Sequence, residues 1–336
     1  MLGIIIYKLY AFVFNKKYLL IRHYIRMTKR KRWPRNEVMY NKIQETEFLN
    51  FFDFVRFISL KVCKGKKMRN TIVCLLAWHK FPDLSTRRAR SLLLLFRKIK
   101  LINVDVPCFK TLCNYRAESL LRNVLDELIE ESSKPLAKIE HDFATDSTGI
   151  KTKLFSSWYS LRCKKRIKRR DHLTVHATCG VKSTIVTALN VETKQGKDNI
   201  IMREHVDKTN KNFKINEWSG DGIYWAKENC KKVASVGGKP YFKCKKNWNG
   251  KQDGYPSWKE MNSESVNDSE EYDKHYHKRS NIESTNQSKK MLHGSKVYSK
   301  LDSARINEET LRWINHNLNV LNRAKHEWGI TPKFME

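Results

Sequence analysis

The chain has 336 residues, 40% of them hydrophobic, and carries 66 Lys and Arg against 35 Asp and Glu, a net charge of +31. That length and apolar content suffice for one large domain or two smaller ones with real cores. The cationic excess is too large for an ordinary soluble enzyme and calls for a polyanionic partner, either nucleic acid or an anionic membrane surface.

Leu2 to Phe14 is mostly apolar but is interrupted by Lys8. It falls short of the roughly 20 residues that span a bilayer. It also lacks the basic lead and the small-residue tail of a signal peptide. Met27-Thr28-Lys29-Arg30-Lys31-Arg32 opens a more ordinary start, so residues 1–26 read as an upstream extension or a disordered segment. No stable membrane partner is expected.

Residues 27–135 read as a helical, basic region suited to holding DNA ends. A basic helix is expected over Ser85 to Lys100, then a connector with Pro107 and a short segment, Phe109 to Tyr115. Ala117, Leu120, Leu121, Val124, Leu125, Leu128 and Ile129 then follow the i, i+3, i+4, i+7 rule of a third helix. This order is compatible with a helix-turn-helix unit and equally with plain helical packing.

From Ile139 the pattern changes to strands. Ile139 to Thr145, Leu173 to Thr178 and Ile185 to Val191 are expected as three strands joined by hairpins. A short helix over Asp198 to Val206 follows, then a strand over Ile215 to Ser219. Tyr224 to Val236 reads as a helix stopped by Gly237-Gly238, and Lys239 to Lys245 as a further strand. Residues 247–272 are polar and turn-rich, with little to build a core. Helices are expected over 274–293 and 302–324. The fold class is therefore α/β, a mixed sheet flanked by helices and preceded by a helical domain, with 136–330 as its sheet domain.

Asp146 and Asp221 each stand at the end of a predicted strand, where ligands gather in α/β sheets. Either could equally be a turn or helix cap. Tyr276, Arg279, Glu283 and Lys290 form a Tyr-x2-Arg-x3-Glu-x6-Lys pattern. Steps of three, four and seven residues put all four on one helix face. Ser280-x-x-Glu283 also matches a capping box, which would make Glu283 only a helix-start group. Three carboxylates brought together repel, by about 4 kcal/mol per pair at 4 Å and an effective dielectric of 20. A divalent cation cancels that repulsion, and an all-oxygen donor set favours Mg²⁺ or Mn²⁺ over Zn²⁺. Two such ions suit phosphodiester chemistry.

The stretch Arg162-Cys163-Lys164-Lys165-Arg166-Ile167-Lys168-Arg169-Arg170 has seven cations in nine residues. Arg162, Lys164, Lys165, Arg166, Lys168, Arg169 and Arg170 are the expected backbone-phosphate contacts beside Asp146. None of the eight cysteines forms a Cys-x2-Cys pair, so neither a zinc module nor a disulfide scaffold is expected, and the thiols read as reduced and cytosolic. The histidines show no metal spacing.

These residues resemble the DDE transposases of bacterial and archaeal insertion sequences, the group marked by the Tyr-x2-Arg-x3-Glu-x6-Lys signature. The resemblance spans 70–334 and is most specific in Phe143 to Gly149, Gly180 to Val191 and His275 to Lys290. It implies an RNase H-like catalytic domain with the first Asp on the first strand, the second after the fourth strand and the Glu on a later helix. It implies that Asp146, Asp221 and Glu283 are catalytic metal ligands for Mg²⁺ or Mn²⁺, with two ions. Arg279 and Lys290 would hold DNA phosphates, and Tyr276 would contact the element end. The implied activity is a transposase that cuts the terminal inverted repeats and joins the 3′ hydroxyls to target DNA, as a homodimer on two ends, in the cytoplasm of a prokaryote. A DNA-binding copy without catalysis and a nuclease without joining are the competing readings. One departure stands out. Asn286, Lys289 and His293 occupy positions where the group usually has apolar side chains on a buried face. Unpaired, each would cost roughly 1–3 kcal/mol.

Overall fold

The computed structural model of the protein describes residues 36–81, 83–152, 172–193, 197–244 and 254–335. The chain divides into two units, residues 1–42 and 43–336. Helix α1 (Glu37–Val62) buries Phe51, Phe54, Val55, Ile58 and Val62, a stripe at helical spacing. Helices α2 (Lys66–His79), α3 (Thr86–Lys98), α4 (Phe109–Ala117) and α5 (Leu121–Ser133) follow. The Ser85 hydroxyl accepts from the Arg88 N–H at the start of α3, as an N-cap should. On α5, Leu121, Leu125, Leu128 and Ile129 are buried.

The sheet has five strands: β1 (Asp142–Lys151), β2 (His172–Gly180), β3 (Val186–Glu192), β4 (Glu217–Gly220) and β5 (Lys239–Phe242). Their order is β3-β2-β1-β4-β5. β1, β2 and β3 pair antiparallel, while β4 and β5 join parallel to β1. The parallel strands are joined through helices, as that geometry requires: α6 (Asp198–Asn210) precedes β4 and α7 (Lys227–Ser235) precedes β5. The β2–β3 turn is tight. Thr184 takes φ 67°, and the buried Glu140 carboxylate accepts from the Lys182 and Ser183 N–H groups. At the end of α7, Gly237 takes φ 83° and its N–H bonds the Ala234 carbonyl, which stops the helix where the glycines were expected to. The helix itself begins at Lys227 instead of Tyr224, because a turn that closes Tyr224 N–H on the Asp221 carbonyl comes first.

Of the stretch 247–272, expected to be coreless and turn-rich, residues 247–253 lie outside the described residues and 254–272 depart from that expectation. The latter belong to α8 (Pro256–Asn267) and α9 (Ser269–Tyr276), which bury Trp258, Met261, Tyr272 and Tyr276. Few large apolar residues anchor a long polar segment here, so its periodicity is faint. A 3₁₀ turn, His277–Arg279, leads into α10 (Ser280–His293). The last long helix is α11 (Asp302–Glu327).

Two apolar clusters fill the interior. Ala144, Ile150, Leu173, Val175 and Ala177 belong to the first, together with Ile282 of α10, Leu311, Trp313 and Leu318 of α11, and the buried faces of α1 to α5. Phe143, Trp218, Met202, Val206 and Val233 belong to the second, which continues to Trp258 and Tyr272 beside β5. α11 packs on α2, α4, α5 and β3. Its contacts are unusually polar: the Asn317 amide accepts from Val186 N–H at 2.9 Å and donates to the Val186 carbonyl at 2.8 Å, extending the β3 edge. α5 packs on α11 and β3, and exposes Arg122, Asn123, Asp126 and Glu127. Two carboxylates on that surface repel phosphate. Cations concentrate instead on α3, where Arg87, Arg88, Arg97 and Lys98 are exposed.

Candidate active site

β1 and β4 lie side by side, with Asp142 opposite Glu217 and Thr145 opposite Gly220. The paired register ends there, and Asp146 and Asp221 are the next residues along β1 and past β4. Side chains alternate along a strand, so Asp142 and Asp146 share a face, and Glu217 and Asp221 share the corresponding one. The β1–β4 seam therefore carries two acidic rungs, a lower one of Asp142 with Glu217 and an upper one of Asp146 with Asp221. Asp221 is the first residue past β4, and its Oδ1 accepts from the Ile223 N–H at 2.9 Å. A Cβ at Gly220 would meet the Tyr224 ring at 3.0 Å and the Phe242 ring at 3.2 Å, so any larger residue needs those rings to give by a few tenths of an ångström.

Burial pushes the Asp146 carboxyl up to about 6, and the Asp221 and Glu283 carboxylates add to the rise. The Ser147 backbone and the Arg279 guanidinium hold it back. All three acids thus share one electrostatic neighbourhood. A like-charged set around a buried carboxylate is short of positive charge.

α10 packs across β1 and β2 and supplies the third acid. The capping-box alternative does not form: the residue before Ser280 is already helical, and no side chain caps α10. Glu283 is thereby free of a helix-start role. Its Oε1 lies 2.5 Å from Arg279 Nη2, with Glu283 53% exposed. The Arg279 guanidinium sits 6.0 Å from the centre of the Tyr276 ring, which is itself buried in the second cluster and leaves little surface for a DNA contact. Seven residues past Glu283, Lys290 Nζ donates to Thr148 Oγ1 of β1 at 2.5 Å. Burial lowers the Lys290 pKa, while Glu309 and Asp146 pull it back up.

The polar face of α10 is buried and largely paired. Asn286, Lys289 and His293 are all hidden from solvent. Lys289 bridges to Glu309, which also accepts from the Trp313 indole at 3.0 Å. His293 Nε2 meets the Asn319 amide at 3.2 Å. The departure is therefore matched by polar residues on α11 at Lys289 and His293, while the Asn286 Oδ1 is buried without a hydrogen-bond partner.

At the lower rung, Lys278 Nζ lies 2.8 Å from Asp142 Oδ2 and 2.6 Å from Glu217 Oε2. His275 Nδ1 lies 2.9 Å from the other Glu217 oxygen. Burial raises the Glu217 carboxyl, but Lys278 and His275 outweigh it and hold it below its usual range.

Asp146, Asp221, Glu283, Arg279 and Lys290 are thus gathered at one end of the β1–β4 seam, with Tyr276 beneath Arg279. The basic run 162–170, with Arg162, Lys164, Lys165, Arg166, Lys168, Arg169 and Arg170, lies outside the described residues. Sequence reasoning missed Thr148, Lys278 and the acids of the lower rung. The spacing held a signal for those acids, since Asp142 and Glu217 each precede an upper-rung Asp by four residues and so share its strand face.

Oxygen donors only, from carboxylates, suit Mg²⁺ or Mn²⁺. Among the described residues no group of three or more His, Cys, Asp and Glu side chains is arranged to hold a metal ion as it stands. Glu283 pairs with Arg279, and the Asp221 Oδ1 accepts from the Ile223 N–H. Among the described residues, no helix is long and apolar enough to cross a membrane. The chain matches no family model, and no curated protein or solved structure matches it.

Proposed function

We propose that the protein is a DNA transposase of the DDE type with an RNase H-like catalytic domain, working on DNA ends with Mg²⁺ or Mn²⁺. One observation carries this reading: Asp146 on β1 and Asp221 just past β4 form a rung, and the helix bearing Glu283 crosses β1 beside it. That is the placement which the resemblance to insertion-sequence transposases implies. The electrostatics support it, because Asp146 is held up to about 6 by burial and by the two other acids. The net charge of +31 supports a polyanionic substrate.

Asp146, Asp221 and Glu283 would hold the divalent ions. When bound, these supply positive charge that lowers the cost of the attacking and leaving oxygens of a phosphodiester. The chain's own residues do the rest. Arg279 and Lys290 flank the acids and present cations to the phosphates of the end being cut. Glu283 pairs with Arg279 as an exposed i, i+4 couple, and such pairs are worth only about 0.3–0.5 kcal/mol. A phosphate arriving at Arg279 therefore releases Glu283 toward Asp146 at little cost. Burial of Asp146 excludes water from one side of the acid cluster, which strengthens every charge contact there. In the first step a water oxygen bonds to phosphorus and the 3′ oxygen of the element leaves, taking a proton. In the second, that 3′ hydroxyl loses its proton, bonds to a target phosphorus, and a target 3′ oxygen leaves.

The test uses the DNA flanking the gene, with any inverted repeats it holds as substrate. Wild type with Mg²⁺ or Mn²⁺ is expected to nick the repeat ends and join them to a second duplex, and Glu283→Gln to do neither. Nicking without joined products supports the nuclease reading. Binding without nicking supports a non-catalytic copy. Equal activity in wild type and Glu283→Gln removes Glu283 from the chemistry.

A further inference from the structure

The lower rung takes no part in the chemistry above, yet it is the better neutralised of the two. Lys278 lies one residue before Arg279, in the 3₁₀ turn that leads into α10. Its single ammonium spans Asp142 of β1 and Glu217 of β4. Glu217 is further held by His275, whose ring stacks on Tyr241 of β5 with centroids 4.8 Å apart and planes 10° apart. Three adjacent strands are thus fastened to the segment that enters α10. All four polar side chains are partly buried, so solvent screens these contacts less than it would at an open surface.

We propose that Lys278 is a positioning residue for the site: by neutralising Asp142 and Glu217 it fixes the width of the β1–β4 seam and the rotation of α10, and so sets how Asp146, Asp221 and Glu283 face one another. The proposal rests on the reading of those three acids as a cation-binding set. Two geometric facts support it. First, the rungs are four residues apart along both segments, with the pairing of β1 and β4 running from the lower rung to the residue before Asp146 and Asp221, so the width imposed at the lower rung carries up to the acids. Opposed carboxylates with no cation between them would push the strands apart there. Second, α10 has no side-chain N-cap, so capping does not fix its rotation. Lys278 supplies that constraint five residues ahead of Glu283, about a turn and a half of helix. Lys278 touches none of the three acids and acts only through the strands and the helix.

The experiment measures Mn²⁺ binding to the full chain, by the electron paramagnetic resonance signal of free Mn²⁺, with the melting temperature of each metal-free protein alongside. Wild type, Asp146→Asn, Lys278→Met and Lys278→Arg are compared. Lys278→Met is expected to bind Mn²⁺ about 10–100-fold more weakly than wild type, and Lys278→Arg within about threefold of it, the range typical of residues that orient metal ligands. Unchanged affinity in Lys278→Met, whatever its melting temperature, overturns the proposal. If Lys278→Met does not fold, Glu217→Gln removes one arm of the bridge and is judged by the same two results. Failure of wild type to bind Mn²⁺ overturns the cation-binding reading and this proposal together. Loss of binding in Asp146→Asn with normal binding in Lys278→Met overturns this proposal alone.

Discussion

Lys289 of α10 reaches Glu309 of α11 with neither side chain exposed to solvent. The pair ties the helix carrying Glu283 to the helix that also packs against α2, α4, α5 and β3. Removing Lys289 leaves the buried Glu309 carboxylate with Arg312 at 4.0 Å as its remaining cation, and breaking a buried pair costs about 3–5 kcal/mol. Lys289→Met is therefore expected to lower stability by that amount, read from urea unfolding. Lys289→Met combined with Glu309→Gln should recover a large part of it, because the glutamine amide can still accept from the Trp313 indole. A double variant no more stable than the single one would mean that the loss comes from packing and not from the stranded carboxylate.

The raised Asp146 carboxyl predicts a specific pH dependence for the metal-free protein. An unfolded aspartate titrates near 3.9, whereas the folded one titrates at about 6. The folded state binds this proton more tightly, so Asp146 makes stability fall as pH rises from about 4 to about 6, then level off. Asp146→Asn removes that loss and should be more stable than wild type well above pH 6, by about 3 kcal/mol. Below pH 4 the two should match. Thermal unfolding at pH 4 and pH 7.5 checks this. Added Mn²⁺ is expected to raise the melting temperature of wild type at pH 7.5 and leave Asp146→Asn where it was.

Thiol reactivity should be uneven. Burial drives Cys74, Cys179 and Cys230 up to about 12 and Cys63 to about 11. Cys108 is exposed, and hydrogen bonds from Thr111 lower its pKa. Among the described cysteines, Cys108 is expected to react first with iodoacetamide at pH 7.5, as followed by peptide mass spectrometry. Comparable labelling of Cys179 in the folded protein would contradict its burial.

Much of this layout was legible in the residues because it follows short-range rules. Leu173 to Thr178 alternates, Gly237-Gly238 stops a helix, and Asp221 sits where a strand ends; Asp146 was expected at a strand end too, but β1 runs on from Asp142 to Lys151 and holds it mid-strand. Other features depended on partners far along the chain. Nothing near Lys289 in sequence announces Glu309 as its counter-charge, so the polar face of α10 looked like a defect. Lys278 sits among other cations in His277-Lys278-Arg279, and only the pairing of β1 with β4 reveals what it bridges. The helices α8 and α9 were hidden because Trp258, Met261 and Tyr272 are spread through a polar stretch, and their burial is set by β5 and not by a strong stripe. The capping-box match at Ser280 was a local alternative only, and it gave way to a helical turn already under way.

The long polar helix α11 has one further implication, for biosynthesis. The Asn315 amide reaches the Leu76 carbonyl at 3.1 Å, and Asn322 accepts from the Asn50 amide at 2.7 Å. The front of the polypeptide thus leaves the ribosome long before the segment that completes its interior. Until Asp302 to Glu327 has been translated, the apolar stripes of α1 to α5 have no lid and are open to chaperones or to clumping. A premature stop codon ahead of Asp302 would leave every acid of both rungs intact and still yield a product unable to close around itself.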